Sequence, residues 1–384
     1  MRVCLLSTYL PQRCGIATYT AALAHALAED GGQPPVLLSE WGALSGDDHG
    51  VISYPTFSRA EEYGPSVVKR ALELKTELVH VQHSPDILGM DQRLPNLLAA
   101  LRQQGIATVV TLHTVHTLAS AAAERRFGVG NFHCRLADAA GALVVHGGPA
   151  MEAELVRQGV PKNKIQKIAH GTPVSSAVDR AQARLHLGLA QEAKVLLCFG
   201  FIHLQKNLHT VVLAMNRVIR HVPNALLYIA GSLQNRAWYN RIYLDLLRTL
   251  IRRRGLEQSV VLREEFLPEA EAAFLYGACD VVLLPYAQGY GSASGIAHSA
   301  IGAHRIPLCS RSPKFLEIGS AIDPELLVPT HSPKAWADAV SRLLTDESRR
   351  AMLTERVLRF AAETAWPEVA RRHRQLYRSL LSIS

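Results

Sequence analysis

Short apolar runs alternate with longer amphipathic stretches along the whole chain. The runs at 3–6, 78–82, 108–112, 141–145, 194–199, 225–229, 259–262 and 281–284 predict strands. The stretches at 17–28, 66–74, 95–104, 148–157, 208–220, 239–253, 268–278 and 333–345 space their apolar residues as helices do. Strand followed by helix, repeated, predicts βαβ units and parallel sheets. The strand runs are apolar throughout, as suits strands covered on both faces. The series closes at 168–173, crosses a polar stretch and opens again at Lys194. That restart predicts two doubly wound Rossmann-like domains, 1–180 and 190–365, with a boundary near 175–192. A further helix is predicted after the Trp366-Pro367 break. Two such domains leave a cleft at the carboxyl ends of their sheets, where open α/β sheets bind ligands.

Composition narrows the class. The chain has 384 residues, 48% apolar and 19% charged, which is enough for two globular cores. No apolar run reaches the roughly 18 to 20 residues of a membrane span. The first apolar run meets Pro11-Gln12-Arg13 too soon for a secretory signal, so a cytoplasmic location is expected. Six scattered cysteines form no C-x-x-C pair, which suits free thiols and not a disulfide frame or a metal site. The net charge of +8 favours anionic partners. Its short clusters, such as Arg252-Arg253-Arg254, read most plainly as solvated helix faces. No nucleic-acid motif with interleaved aromatics is present. Peripheral contact with the anionic inner face of a membrane is compatible with the charge, although the sequence shows no amphipathic anchor.

Four segments carry chemistry. In Arg13-Cys14-Gly15-Ile16 a loop enters a helix, whose N-terminal N–H groups suit a phosphate; alone, a Gly there is an ordinary turn. His83 and His113 follow apolar runs and can hydrogen-bond sugar hydroxyls or phosphates; each is equally readable as a satisfied loop histidine. In Gly200-Phe201-Ile202-His203-Leu204-Gln205-Lys206, a strand ends at a glycine and a lysine precedes a helix, within reach of diphosphate oxygens. In Gly291-Ser292-Ala293-Ser294-Gly295-Ile296, the N–H groups of Ser294, Gly295 and Ile296 can cradle a diphosphate; a flexible loop is the plainer reading.

Together these segments resemble glycosyltransferase family 4 over nearly the whole chain. The resemblance rests on the order of Arg13–Thr18, Val81-Gln82-His83, Thr111-Leu112-His113-Thr114, Ala169-His170-Gly171-Thr172-Pro173, Gly200 with Lys206, Phe266-Leu267-Pro268, and Trp366-Pro367-Glu368. It implies an α/β GT-B fold, two Rossmann-like domains facing each other across a cleft, with the helix at 366–384 packed back on the first. It implies a retaining hexosyltransferase-like enzyme (EC 2.4) that uses a nucleotide-diphosphate sugar as co-substrate, with no other cofactor and no metal. The acceptor is open: a small molecule, a glycan, a lipid-linked sugar or a protein. His113 and Lys206 are the implied catalytic residues. Gly15, Ile16, Gly200, Phe201, Lys206, Gly231, Ser232, Glu265, Phe266, Ser294, Gly295, Ile296 and Ser299 are the implied donor site, with His83 and Arg13 on the acceptor side. Phe201 stands where the family usually has Arg, and Gly291 and Ser299 where it usually has two glutamates; Glu317 is a candidate partial substitute. These departures keep open a non-catalytic nucleotide-sugar-binding partner protein on the same scaffold.

Overall fold

The computed structural model describes residues 1–12, 14–29, 33–116, 129–174, 178–233, 237–287, 289 and 291–382. Arg13 therefore lies outside the described residues. The chain divides into two compact units: Met1–Gly171 with Tyr290–Gly295 and Thr364–Ser384, and Thr172–Gly289 with Ile296–Glu363.

The first unit is built on β1 (Val3–Ser7), β2 (Val36–Glu40), β3 (Gly46–Asp48), β4 (Val51–Phe57), β5 (Leu78–His83), β6 (Ala107–Leu112), β7 (Thr114–Val115), β8 (Ala142–Val145) and β9 (Ile165–Lys167). Its main sheet runs β3-β4-β2-β1-β5-β6-β8-β9, parallel except for the β3–β4 edge pair. The second unit holds β10 (Lys194–Phe199), β11 (Ala225–Gly231), β12 (Val260–Glu264) and β13 (Val281–Leu284). With β15 (Ile306–Ser310) and β16 (Leu327–Val328) these form a parallel sheet ordered β12-β11-β10-β13-β15-β16. The short β14 (Gly291–Ser292) pairs antiparallel with β7 in the first unit.

In each unit the first strand lies mid-sheet and the chain order reverses beside it, between β1 and β5 and between β10 and β13. This is the doubly wound pattern, and the reversal is where its ligands bind. The central strands read VCLLS, LVHVQH and VVLL, and every residue in them is buried. Such strands bury both faces, so apolar runs and not alternation announce them.

Several elements have weaker sequence signals. β2 and β4 mix apolar residues with Ser39, Glu40, Ser53 and Pro55, and the Ser39 and Ser53 hydroxyls meet at 2.9 Å between the paired strands. The helix Glu347–Glu363 buries only Leu353, Val357 and Phe360, so its apolar stripe is thin.

The last helix, Trp366–Leu381, packs on the helix Gly15–Glu29 and buries Val369, Ala370, His373, Arg374 and Tyr377. Gly171 makes room for its first residue, because a Cβ there would lie 2.2 Å from the Trp366 ring. Gly171→Ala is therefore expected to cost about 1–3 kcal/mol through overpacking. A urea midpoint unchanged from wild type would show that the indole does not rest on this glycine.

Candidate functional site

In the second unit, β10 ends at Phe199 and the chain turns at Gly200, whose φ of +109° lies in the region that favours glycine. The neighbouring β11 ends at Gly231, with φ of +154°. A Cβ at 231 would sit 1.9 Å from the Gly200 carbonyl oxygen, so these two chain ends pass closer than any side chain allows. Ile202 N–H donates to the Ser232 carbonyl at 2.8 Å and Glu265 N–H to the Gly231 carbonyl at 3.0 Å. The carboxyl ends of β10, β11 and β12 are thereby tied together.

After Gly200 the chain makes a 3-10 turn, Leu204–Lys206, and enters the helix Leu208–His221 through Asn207 in the left-handed conformation. The Asn207 amide donates to the carbonyls of Pro285 and Thr330, each at 2.9 Å. Ala287 N–H donates to the Gln205 carbonyl at 2.8 Å. These bonds fix the lysine turn against the segment that follows β13, at the point where strand order reverses.

Lys206 Nζ lies 3.7 Å from the centroid of the Tyr286 ring, a cation–π contact. Tyr286 is itself held by the Ser310 hydroxyl, which donates to its carbonyl at 2.6 Å, and by the Phe315 ring at 5.3 Å. Its own hydroxyl is buried and, among the described residues, has no hydrogen-bond partner. Among the described residues Lys206 has no carboxylate partner. Burial, and after it the charge of Lys314, bring its ammonium down to about 7. Burial brings Lys314 down to about 8. His203, in the same loop, is lowered to about 4 by burial and by Lys206. Lys314 and Tyr286 were not singled out in the sequence. A lysine in Ser312-Pro313-Lys314 reads as a surface residue, and only the sheet order brings it to the first strand's end.

The structure thus brings Gly200, Phe201, Lys206, Gly231, Ser232 and the Glu265 backbone to one edge of the second sheet. Ile296 joins them, its Cδ1 3.6 Å from where a Gly200 Cβ would be. Phe266 stands beside this edge with its ring exposed. The Glu265 carboxylate is taken by Arg263 at 2.7 Å. Ser299, one turn into the helix Gly295–Gly302, faces Tyr276, whose phenol burial pushes up against the opposing effect of the Ser299 hydroxyl. Glu317 is buried, with His298 Nε2 3.7 Å away, and His298 Nδ1 meets the Thr172 hydroxyl at 2.8 Å. That carboxylate is engaged inside the unit.

In the first unit, Gly15 opens its helix with nothing within 4 Å of a Cβ built on it, so the backbone there is open to close approach. Ile16 packs partly into the core beside it. Ser294 is buried, and Gly295 lies near His170, whose Nε2 is 3.8 Å from a Cβ built at 295. Position 291 leaves little space for a carboxylate, since a Cβ there would be 2.9 Å from Met151 Cγ.

His113 sits in a chain of buried polar groups. Its Nε2–H donates to Gln82 Oε1 at 2.9 Å, and its Nδ1 meets His146 Nε2 at 3.2 Å. The Gln82 amide donates to His80 Nε2 at 3.3 Å, and His80 Nδ1 meets the Tyr377 hydroxyl at 2.6 Å. The Tyr19 ring packs edge-on against His113, with centroids 4.6 Å apart. Burial, then His83, lower His113 to about 3. It is therefore a neutral imidazole near neutral pH, with both ring nitrogens engaged, and not a stored acid. His83 is fully buried: its Nε2 meets the Gly89 carbonyl at 2.8 Å and its ring lies against Phe132. Among the described residues no group of three or more His, Cys, Asp or Glu can hold a metal, and no helix is long and apolar enough to cross a membrane.

A family model described as Glycosyltransferase Family 4 matches residues 14–176, and one described as Glycosyl transferases group 1 matches 193–346. A D-inositol 3-phosphate glycosyltransferase of Kineococcus radiotolerans is 30% identical over 213 residues, covering 53% of this chain and 48% of that protein. One of Corynebacterium urealyticum is 28% identical over 227 residues, covering 57% and 50%. The matches thus span about half the length of these curated relatives. Among solved structures, a sucrose-phosphate synthase from Thermosynechococcus elongatus superposes with a TM-score of 0.77 at 20% identity, covering 100% of both chains. Anabaena HepE in complex with UDP gives 0.77 at 14% identity, covering 99% of this chain and 100% of that one. These likenesses show the fold to be GT-B.

Burial pins a set of imidazoles in the neutral form, with His83, His133 and His373 lowered to about 4 and His113 to about 3. Unfolded, they would protonate near the ordinary value of about 6.5. The folded values are depressed, so their stabilisation is complete above pH ~6.5 and is lost as pH falls toward the folded values. The melting temperature is expected to drop steadily from pH 6.5 to 4. A flat profile over that window would contradict a buried neutral set.

Proposed function

The chain belongs to the family 4 type of glycosyltransferase, and from that premise we propose that it is a retaining enzyme moving a sugar from a nucleotide-diphosphate donor to a hydroxyl acceptor. The observation that carries this reading is the partly buried Lys206 ammonium, without a carboxylate, at the strand-order reversal of the second sheet. Breaking a sugar–phosphate bond leaves negative charge on the departing diphosphate. A preorganised cation and free backbone N–H groups lower that barrier.

In this reading Lys206 binds the diphosphate with Lys314 near it, and the glycine turns at 200 and 231 let the backbone come close. Gly231, Ser232 and the Glu265–Phe266 segment take the nucleotide base. The Ile296 backbone completes the cradle in the second unit, and Ser299 lies on the next turn of its helix. In the first unit, Gly15 and Ile16 open a helix whose N–H groups suit an anion, and His113 stays neutral. Positive side chains stand in for a metal ion, so no metal is required. Attack by the acceptor on the face the phosphate leaves, with the departing phosphate oxygen taking the acceptor proton, keeps the anomeric configuration and asks for no protein nucleophile.

The solved neighbours suggest where to begin. Anabaena HepE has been seen with UDP-glucose, and the curated relatives are named for D-inositol 3-phosphate, so a uridine donor and a phosphorylated polyol make the first assay. Release of nucleoside diphosphate should depend on acceptor, survive EDTA, and yield a product with the donor's anomeric configuration. Lys206→Ala is expected to lower turnover at least about tenfold, roughly 1.4 kcal/mol of barrier, with an unchanged melting temperature. Near-normal turnover in that variant removes the role given to Lys206. Binding of nucleotides without turnover over a broad acceptor panel would instead favour a non-catalytic protein.

A further inference from the structure

The helix Trp238–Arg253 buries Asn240, Tyr243, Leu244, Leu247 and Ile251 against the second unit, as an ordinary amphipathic helix does. Its opposite side is not polar. Trp238 is 74% exposed, Tyr239 54%, Ile242 58% and Leu246 50%. Trp238, Ile242 and Leu246 are spaced i, i+4, i+8, so they line one solvent-facing stripe, with Tyr239 beside it. Folded surfaces seldom gather large apolar side chains this way without an occupant.

The charge around the stripe is mostly positive. Arg241, Arg248, Arg252, Arg253 and Arg254 face a single acid in the same stretch, Asp245. Arg241 and Arg248 reach Glu264 at 3.2 and 2.9 Å. Arg252, Arg253 and Arg254 are exposed and, among the described residues, have no ion-pair partner. A second copy packed on this face about a twofold axis would set arginines against arginines. A folded acidic protein also takes aromatic and arginine side chains, and the vesicle test separates it from a lipid surface.

An anionic bilayer surface satisfies both halves of the pattern. Indole and phenol rings settle at headgroup depth, aliphatic side chains enter the acyl boundary, and arginine stems reach back to lipid phosphates. We propose that the Trp238–Leu246 stripe and its flanking arginines dock the second unit on an anionic lipid surface. The sequence alone concealed this anchor, because the period of the buried face and that of the exposed stripe overlap in one helix. The inference stands on surface geometry and does not depend on the donor site.

The test uses the full chain with phosphatidylcholine vesicles, with and without phosphatidylglycerol. Co-sedimentation should require the anionic lipid and weaken with salt. Brominated acyl chains should quench tryptophan emission, and the quenching should vanish in Trp238→Phe. Ile242→Ser with Leu246→Ser should weaken vesicle binding about tenfold or more at an unchanged melting temperature. Three results overturn the proposal: no binding to either vesicle, binding unchanged in the Ile242→Ser, Leu246→Ser variant, or a protein dimer that this variant dissociates.

Discussion

A lysine ammonium withdrawn from water with no carboxylate to balance it is the constraint around which the second unit is arranged. Burial of an unpaired charge costs several kcal/mol or shifts the group toward its neutral form. Lys206 takes the second course, resting on the Tyr286 ring with its proton held less tightly than in water. An anionic ligand would give the arrangement a reason, and the lysine stands at the reversal of strand order, where doubly wound sheets bind ligands.

The surrounding backbone serves the same end. Gly200 and Gly231 allow β10 and β11 to finish at a separation no Cβ tolerates, which leaves the chain ends low and open. Asn207, bonded to Pro285 and Thr330, keeps the lysine turn from swinging away. The first unit repeats the strand order but solves its polar burial differently. There, Gln82 links His80 to His113, and the imidazoles remain uncharged.

Much of this could be read from the amino acids. The doubly buried strands announce themselves as apolar runs, and the helices by their spacing, so both sheets and the final helix were legible. β2 and β4, inside the β3 edge, were not, because paired serines and a proline break their apolar pattern, and neither was the buried β15, which carries Pro307. Gly200 and Lys206 stood out because a glycine at a strand's end and a lysine before a helix are local features. Tyr286 under the lysine and Lys314 beside it depend on which strands become neighbours, which no local pattern encodes. Histidines were visible as chemistry, but their neutrality follows from burial that only packing defines. The carboxylates expected at 291 and 299 are absent for different reasons: Met151 crowds the first position, and the serine at the second faces Tyr276.

The most direct measurement is calorimetric binding of UDP, or of whichever nucleoside diphosphate raises the melting temperature, at pH 8 in two buffers of different ionisation enthalpy. With a Lys206 ammonium near 7 in the free protein, a bound diphosphate should draw about one proton from the buffer, and the apparent heat should differ between buffers accordingly. Lys206→Arg, permanently charged, should lose most of that uptake and keep only the share of Lys314, which sits near 8. Equal heats in both buffers for the wild-type protein would contradict the account.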